Sequence, residues 1–368
     1  MSQSARVAAP LRNAPLIDGS ALSQAASIKQ AANKTALMGG SAMANAVRSL
    51  LCLSLLAGLV AGAPQIASAQ KYPDRPVRII LPLGAGGVGD ISTRIVADKL
   101  GEKLGQRFIV ENMPAAGGIA AAKAAISAPA DGYTLILFTG GVSSSVPLYK
   151  DLGYDPLKDF APISSMGYFD CLAVSNGESQ YKSLQDFLKA SKEKPGTLNV
   201  GVISGGGVQM LTANYLKQTA QADFVIVPFK TTPDAIIALL RNDVQMVIDF
   251  YAALKGGISD GKLRPIAWMG PTPSPALPDV KTADQQGAKG LRAQSWNSYY
   301  VKAGTPPAVI ATINKALHEV VADPGVKKRL LDLGIDSRAS TPEQMDAQMR
   351  GDIKLWTDVI EKAGIEKR

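Results

Sequence analysis

From residue 70 onward, short runs of β-branched and other apolar residues alternate with amphipathic stretches, the pattern of βα units on a mostly parallel sheet. The spacing predicts strands over 77–81, 108–111 and 134–138, with helices over 91–104 and 119–127 between them. A second series follows, with strands at 171–174, 199–202, 224–227 and 244–248. Its helices carry start signals: Ser183 caps 184–191, which stops at Pro195-Gly196, and Thr232 with Pro233 opens a helix to Arg241. After a strand at 265–268, the passage 271–278 (PTPSPALP) can be neither helix nor central strand and reads as a surface connection. A strand at 296–301 and three helices close the chain. The first places Val309, Ile313, Leu317 and Val320 on one stripe; the last has Thr341 as N-cap, Pro342 first, Gln344 three on, and Gly364 as its stop.

The first 69 residues depart from this pattern. Arg48 precedes an apolar run over 49–63 that is too short to span a bilayer stably, and Ala67-Ser68-Ala69 follows. That is the build of a general secretory signal cleaved after Ala69, leaving 299 residues and directing the protein to the periplasm. The stretch upstream is long for a signal, and Met38 and Met43 offer later starts than Met1; residues 1–42 are expected to be disordered or untranslated. A lipid anchor at Cys52 is disfavoured because the apolar segment follows the cysteine instead of preceding it, and a lone Arg48 makes no twin-arginine signal.

Composition narrows the chemistry. The single histidine, His318, excludes multi-histidine metal sites; it lies off the apolar stripe beside Asn314 and reads as a surface residue, and without it there is no Ser-His-Asp or Cys-His site. Cleavage removes Cys52, so Cys171 is left alone, without a disulfide partner, as a buried thiol. The net charge of +8 is concentrated in the leader: residues 1–69 carry five bases against one acid, and without them +8 falls to +4. With no basic stripe and 6% aromatic residues, nucleic acid is not an expected partner.

Three glycine-rich loops sit where a strand ends and a helix begins: 83–90 (LGAGGVGD), 114–118 (PAAGG) and 204–207 (SGGG). Such loops let a ligand approach the main chain while amide groups of the next helix face it, so anions bind without lysine or arginine. A single loop of this kind is more simply a tight turn; three favour a site. Gly84, Gly86 and Gly89 also satisfy G-x-G-x-x-G, and Glu111 ends the next strand where a ribose-binding acid would sit, which leaves an exported NAD-type oxidoreductase as the alternative. Pro82 at the strand end and the negative Asp90 weigh against it.

Over 70–368 the residues resemble the tripartite tricarboxylate transporter substrate-binding proteins, the Bug receptors. The resemblance is carried by Tyr72-Pro73, Gly86-Gly87-Val88-Gly89-Asp90 with Arg94, Glu111-Asn112, Asp131-Gly132-Tyr133, Tyr154-Asp155-Pro156, Val227-Pro228-Phe229-Lys230, Gly304-Thr305-Pro306 and Trp356. It implies an α/β, type II periplasmic-binding-protein-like fold. Two α/β domains with mixed, mostly parallel sheets would enclose a ligand cleft, one made of 70–170 with 293–368 and the other of 171–292. It further implies a monomeric receptor for a small organic acid, with membrane transporter subunits or a sensor kinase as partners, and with no cofactor, metal or catalytic residue. The candidate ligand shell comprises Leu83, Gly84, Ala85, Gly86, Gly87, Val88 and Asp90; Gly140, Gly141 and Ser143; Ser204, Gly205, Gly206, Gly207, Val208 and Gln209; and Lys230 with Asp249. This shell departs from the family: Ala85 stands for a common proline, Gly89 for a small hydroxyl residue, and Gly207 to Met210 for positions often Ser/Thr and His. The lost donors favour an aliphatic or aromatic monoacid over citrate.

Overall fold

The computed structural model describes residues 72–114, 118–203 and 207–367. The expected leader with Cys52 and its cleavage site lies outside them, as do Ala115, Ala116, Gly117, Ser204, Gly205 and Gly206.

The chain opens with β1 (Val77–Leu81), α1 (Val88–Leu104), β2 (Phe108–Asn112), α2 (Ile119–Ser127), β3 (Thr134–Thr139) and α3 (Gly140–Leu148). Strand β1 lies between β2 and β3 and is parallel to both. Its sequence VRIIL is almost wholly apolar because both faces are covered. Alternate side chains divide between two cores. Val77, Ile79, Leu135 and Leu137 pack on one side with Leu100 of α1, while Ile80, Ile136 and Phe138 pack on the other with Ala121 and Ala122 of α2.

The long strand β4 (Phe160–Asn176) follows, then α4 (Leu184–Glu193), β5 (Asn199–Ile203), α5 (Val208–Ala220), β6 (Val225–Phe229), α6 (Thr232–Leu240), β7 (Met246–Phe250), α7 (Tyr251–Ser259) and β8 (Leu263–Trp268). The chain ends with β9 (Gln294–Lys302), α8 (Pro307–Ala322), α9 (Pro324–Asp332) and α10 (Pro342–Ala363). Strand order is β2-β1-β3-β9-β4-β7-β5-β6, with β8 also on β4. Strand β4 changes partners along its length: it is antiparallel to β9 as far as Asp170, paired with Gln294, and from Cys171 onward it pairs with β7 and β8. Helix α10 also reaches both parts, since Met345 and Met349 join the core of β3 and β9 while Trp356, Val359 and Ile360 join that of β5 and α5.

The fold class is the expected one, and most boundaries agree within two residues. Strand β4 begins at Phe160 instead of residue 171, because Pro162, the serine pair 164–165 and Gly167 hide the pattern; the register slips between Pro162 and Ser164 and again between Ser165 and Gly167. Helix α6 is capped by Thr231, whose Oγ1 accepts from Asp234 N, and not by Thr232. Helices α3 and α7 were not foreseen, one carrying Pro147 and the other Gly256-Gly257. The capping boxes at Ser183 and Thr341 and the left-handed Gly364 are present. His318 is exposed, with Nε2 3.2 Å from the Ser340 carbonyl that Asn314 also binds. Cys171 is fully buried, and burial pushes its thiol pKa far up, so it is a packing residue and not a nucleophile.

Asp170 sits where β4 changes partners. Its carboxylate accepts from Trp268 Nε1 at 2.7 Å and Gln294 Nε2 at 2.9 Å, and burial raises its pKa to about 6 despite those bonds. A carboxyl raised in the fold contributes stability that is full below its unfolded pKa, near 4, and is lost as pH rises through about 6. Stability is therefore expected to fall by about 2–3 kcal/mol between pH 4 and pH 7 from this group alone. Asp170→Asn removes that component, which urea melts across the range will measure; an unchanged slope refutes the assignment.

Candidate functional site

A cavity of about 460 Å³ lies among the C-terminal ends of the strands. Its size suits a small solute. The wall is mostly apolar, with Leu83, Phe169, Val208, Phe250 and Ile335 prominent, and polar side chains are supplied by Thr139, Ser145, Gln209, Ser295 and Asn297. Among the described residues, no lysine, arginine or histidine lines it.

Helix N-termini supply the polarity instead. The first residues of α1 (Val88, Gly89), α3 (Gly141, Val142), α5 (Val208, Gln209) and α7 (Tyr251, Ala252, Ala253) line the cavity, together with Gly118, the N-cap of α2. The opening amides of a helix have no carbonyl within the helix to bind, and the peptide dipoles add positive potential there. Four of these five helices have no side-chain cap: their N-cap residues are Gly87, Gly118, Gly207 and Phe250. In α3 the Thr139 hydroxyl accepts from Gly141 N. Of the helices whose first turns lie elsewhere, α4, α6, α9 and α10 are capped, by Ser183, Thr231, Asp323 and Thr341, and only α8, which opens on Pro306-Pro307, is not. Glycine at 118 and 207 also permits φ of +67° and +72°, conformations that side-chain-bearing cap residues rarely adopt.

The cavity brings together Leu83, Val88, Gly141, Val208 and Gln209 of the candidate shell. The other described candidates stand behind or beside it. Gly84, Ala85, Gly86 and Gly87 form the exposed outer turn of the first loop. Gly140 packs against Ser295, where an added Cβ would meet Oγ at 2.7 Å, and the buried Ser143 hydroxyl donates to the Gly140 carbonyl. Gly207 caps α5, and Lys230 is exposed. Asp249 supports Gln209 from behind: it accepts from Gln209 Nε2 at 3.0 Å, Thr232 Oγ1 at 2.6 Å and Phe250 N at 2.7 Å.

Asp90 turns out to brace its own loop. Its carboxylate accepts from Gly86 N at 2.9 Å, Arg94 Nε at 3.0 Å and Asn112 Nδ2 at 2.9 Å, while Asn112 also donates to the Leu83 carbonyl. The chain's own carboxylate thus occupies an amide that a pyrophosphate would need, and Glu111 is paired with Arg78 at 2.7 Å; the dinucleotide alternative loses both its features.

Sequence reasoning missed the β7–α7 junction (Phe250 to Ala253), Phe169, the turn 333–335, and Ser295 with Asn297. A signal existed for the last pair: they put polar side chains on the face of β9 that continues as buried Tyr299 and Val301. The turn at 333–335 carries no chemical mark.

This arrangement defines a solute-binding protein of the periplasmic-binding type. The family description "Tripartite tricarboxylate transporter family receptor" matches residues 92–365, and the chain belongs to that family. Three solved structures are similar throughout. Periplasmic binding protein BugD is 28% identical, with a TM-score of 0.66 over 81% of this chain and all of its own. R. palustris Rpa4515 with adipate is 27% identical, with a TM-score of 0.69 over the same shares. MatC from Rhodopseudomonas palustris with bound malate is 28% identical, with a TM-score of 0.65 over 78% of this chain and all of its own.

The Arg94 guanidinium and the amides around it hold the Asp90 carboxyl down to about 2. A lowered carboxyl stabilises the fold above its unfolded pKa, near 4, and loses that contribution as pH falls through about 2. Asp90→Ala should cost about 1–2 kcal/mol at pH 7, with half-exposed Arg94 limiting the effect, and the difference from wild type should narrow toward pH 2 in denaturant melts.

Proposed function

We propose that this protein is a periplasmic receptor that takes a small organic monocarboxylate into the cavity and presents it to a tripartite membrane transporter. The observation that carries this reading is the set of uncapped helix N-termini around an apolar chamber that no cationic side chain lines among the described residues. A carboxylate there accepts main-chain hydrogen bonds, directly or through water, each worth about 1.5–3 kcal/mol. Three or four such bonds support the roughly 8 kcal/mol of micromolar affinity after ordering costs. The apolar wall receives the rest of the ligand, and a second carboxylate would have to be desolvated against Leu83, Phe169 or Ile335.

In this reading residues 70–170 with 293–368 form one lobe and 171–292 the other. The change of partners along β4 at 170/171 supports that division, and β4 with β9 would be the strands that bend. A ligand held by α1 on one side and α5 on the other binds the closed form better than the open one, and that difference in affinity drives closure. Helix α10, packed on both parts, would carry the movement to the outer surface. The leader read at 48–69 and the family likeness, with BugD among its periplasmic members, support the compartment.

Thermal-shift measurements with organic acids and nucleotides test the proposal, because a ligand bound only by the folded form raises Tm. Stabilisation by at least one monocarboxylate and none by NAD is expected; the reverse overturns it. Ala253 is exposed at the start of α7. Ala253→Trp is therefore expected to fill the chamber, leave the ligand-free Tm unchanged and weaken carboxylate binding by about tenfold or more, read by calorimetry.

A further inference from the structure

Gln209 lines the cavity while only 6% exposed, and among the described residues its buried Oε1 has no hydrogen-bond partner. The amide cannot turn to relieve this. Its Nε2 donates to Asp249 Oδ1 at 3.0 Å, and an ionised carboxylate only accepts, so the nitrogen end is fixed and the oxygen end faces the other way. Asp249 is itself held: Thr232 Oγ1 and Phe250 N donate to it, and it is 2% exposed. The chamber wall therefore contains a clamped carbonyl-type acceptor that lacks a donor, in a surround where leaving an acceptor unmet is unfavourable. Asn297, 2% exposed at the same wall, also has a buried amide oxygen without a partner, but among the described residues no carboxylate fixes its orientation.

We infer that Gln209 selects for a monocarboxylate bearing an O–H or N–H donor away from its carboxylate, with Asp249 as the positioning residue that sets which end of the amide the ligand meets. The inference rests on the carboxylate-receptor reading and adds the second functional group of the solute. It also gives Thr232 a role: its hydroxyl, not needed to cap α6, donates to Asp249 and helps keep that side chain in place. A keto or ester oxygen brought to the same point would oppose oxygen with oxygen and leave both without a donor.

The test uses two pairs of probes differing only in donor against acceptor: 5-hydroxyhexanoate with 5-oxohexanoate, and 4-(1-hydroxyethyl)benzoate with 4-acetylbenzoate, titrated calorimetrically. Hexanoate and 6-aminohexanoate are added to separate a hydroxyl from an ammonium donor. Wild type is expected to prefer the donor member of at least one pair, or the amine over hexanoate, by about tenfold or more. In Asp249→Asn the partner can donate as well as accept, Gln209 is free to turn, and the preference should fall toward unity with the keto compound gaining affinity. A merely structural role for Asp249 would weaken both members alike. Gln209→Met is the second variant; it should abolish the preference, and a preference that survives it overturns the inference. Equal binding of both members by wild type overturns the inference and leaves the receptor reading standing. Failure of every carboxylate to bind overturns the receptor reading and the inference with it.

Discussion

The opening amides of an α-helix must find acceptors outside the helix, and in this protein their placement divides the molecule. Of the five described helices that start away from the cavity, four complete themselves with a serine, threonine or aspartate side chain, while α8 opens on Pro306-Pro307 without a side-chain cap. Four that start at the cavity begin from glycine or phenylalanine and leave their first turn to whatever enters. In the proposed reading an anion in the chamber would finish secondary structure that the sequence leaves open, and because the donors are main chain they would be oriented before it arrives. Asp90 keeps this arrangement from collapsing: by tying Gly86, Arg94 and Asn112 together it holds the glycine turn in shape at the cost of one of its amides.

The sheet explains why these ends meet. Parallel β1, β2 and β3 point their C-terminal ends one way, and β5, β6 and β7 do the same in the second part, so each following helix starts at the same edge of its sheet. Strand β4 and β9 join the two parts through antiparallel pairing. Apolar side chains between the helix starts then set a low-polarity chamber in which each charge-assisted hydrogen bond is stronger than it would be in water.

The βα alternation was legible in the sequence because strands such as VRIIL and TLILFT are buried on both faces and read as unbroken apolar runs. The first half of β4 was hidden by Pro162 and Gly167, where bulges interrupt the period of two that pattern reading needs. The glycine composition of 83–90, and the glycines just before Val208, pointed to the helix starts that line the cavity because composition is local. The α7 start was not visible, since Phe250 and Tyr251 look like core residues and only the fold brings them to the cavity wall. Asp90 and Asp249 were picked out as acids near glycine loops. Their partners, among them Asn112 and Thr232, come from distant segments, and only the folded chain brings them within bonding range.

A grip made of peptide groups cannot be removed by exchanging one side chain for another. Substitutions at Leu83, Val142, Phe169 or Ile335 would reshape the chamber while the helix-start amides proposed to hold the anion stay where the helices put them. Retention and discrimination are thus written in separate parts of the gene product, one in the path of the chain and the other in its decoration. Such a scaffold can drift from one acid to the next by single mutations without passing through a form that binds nothing.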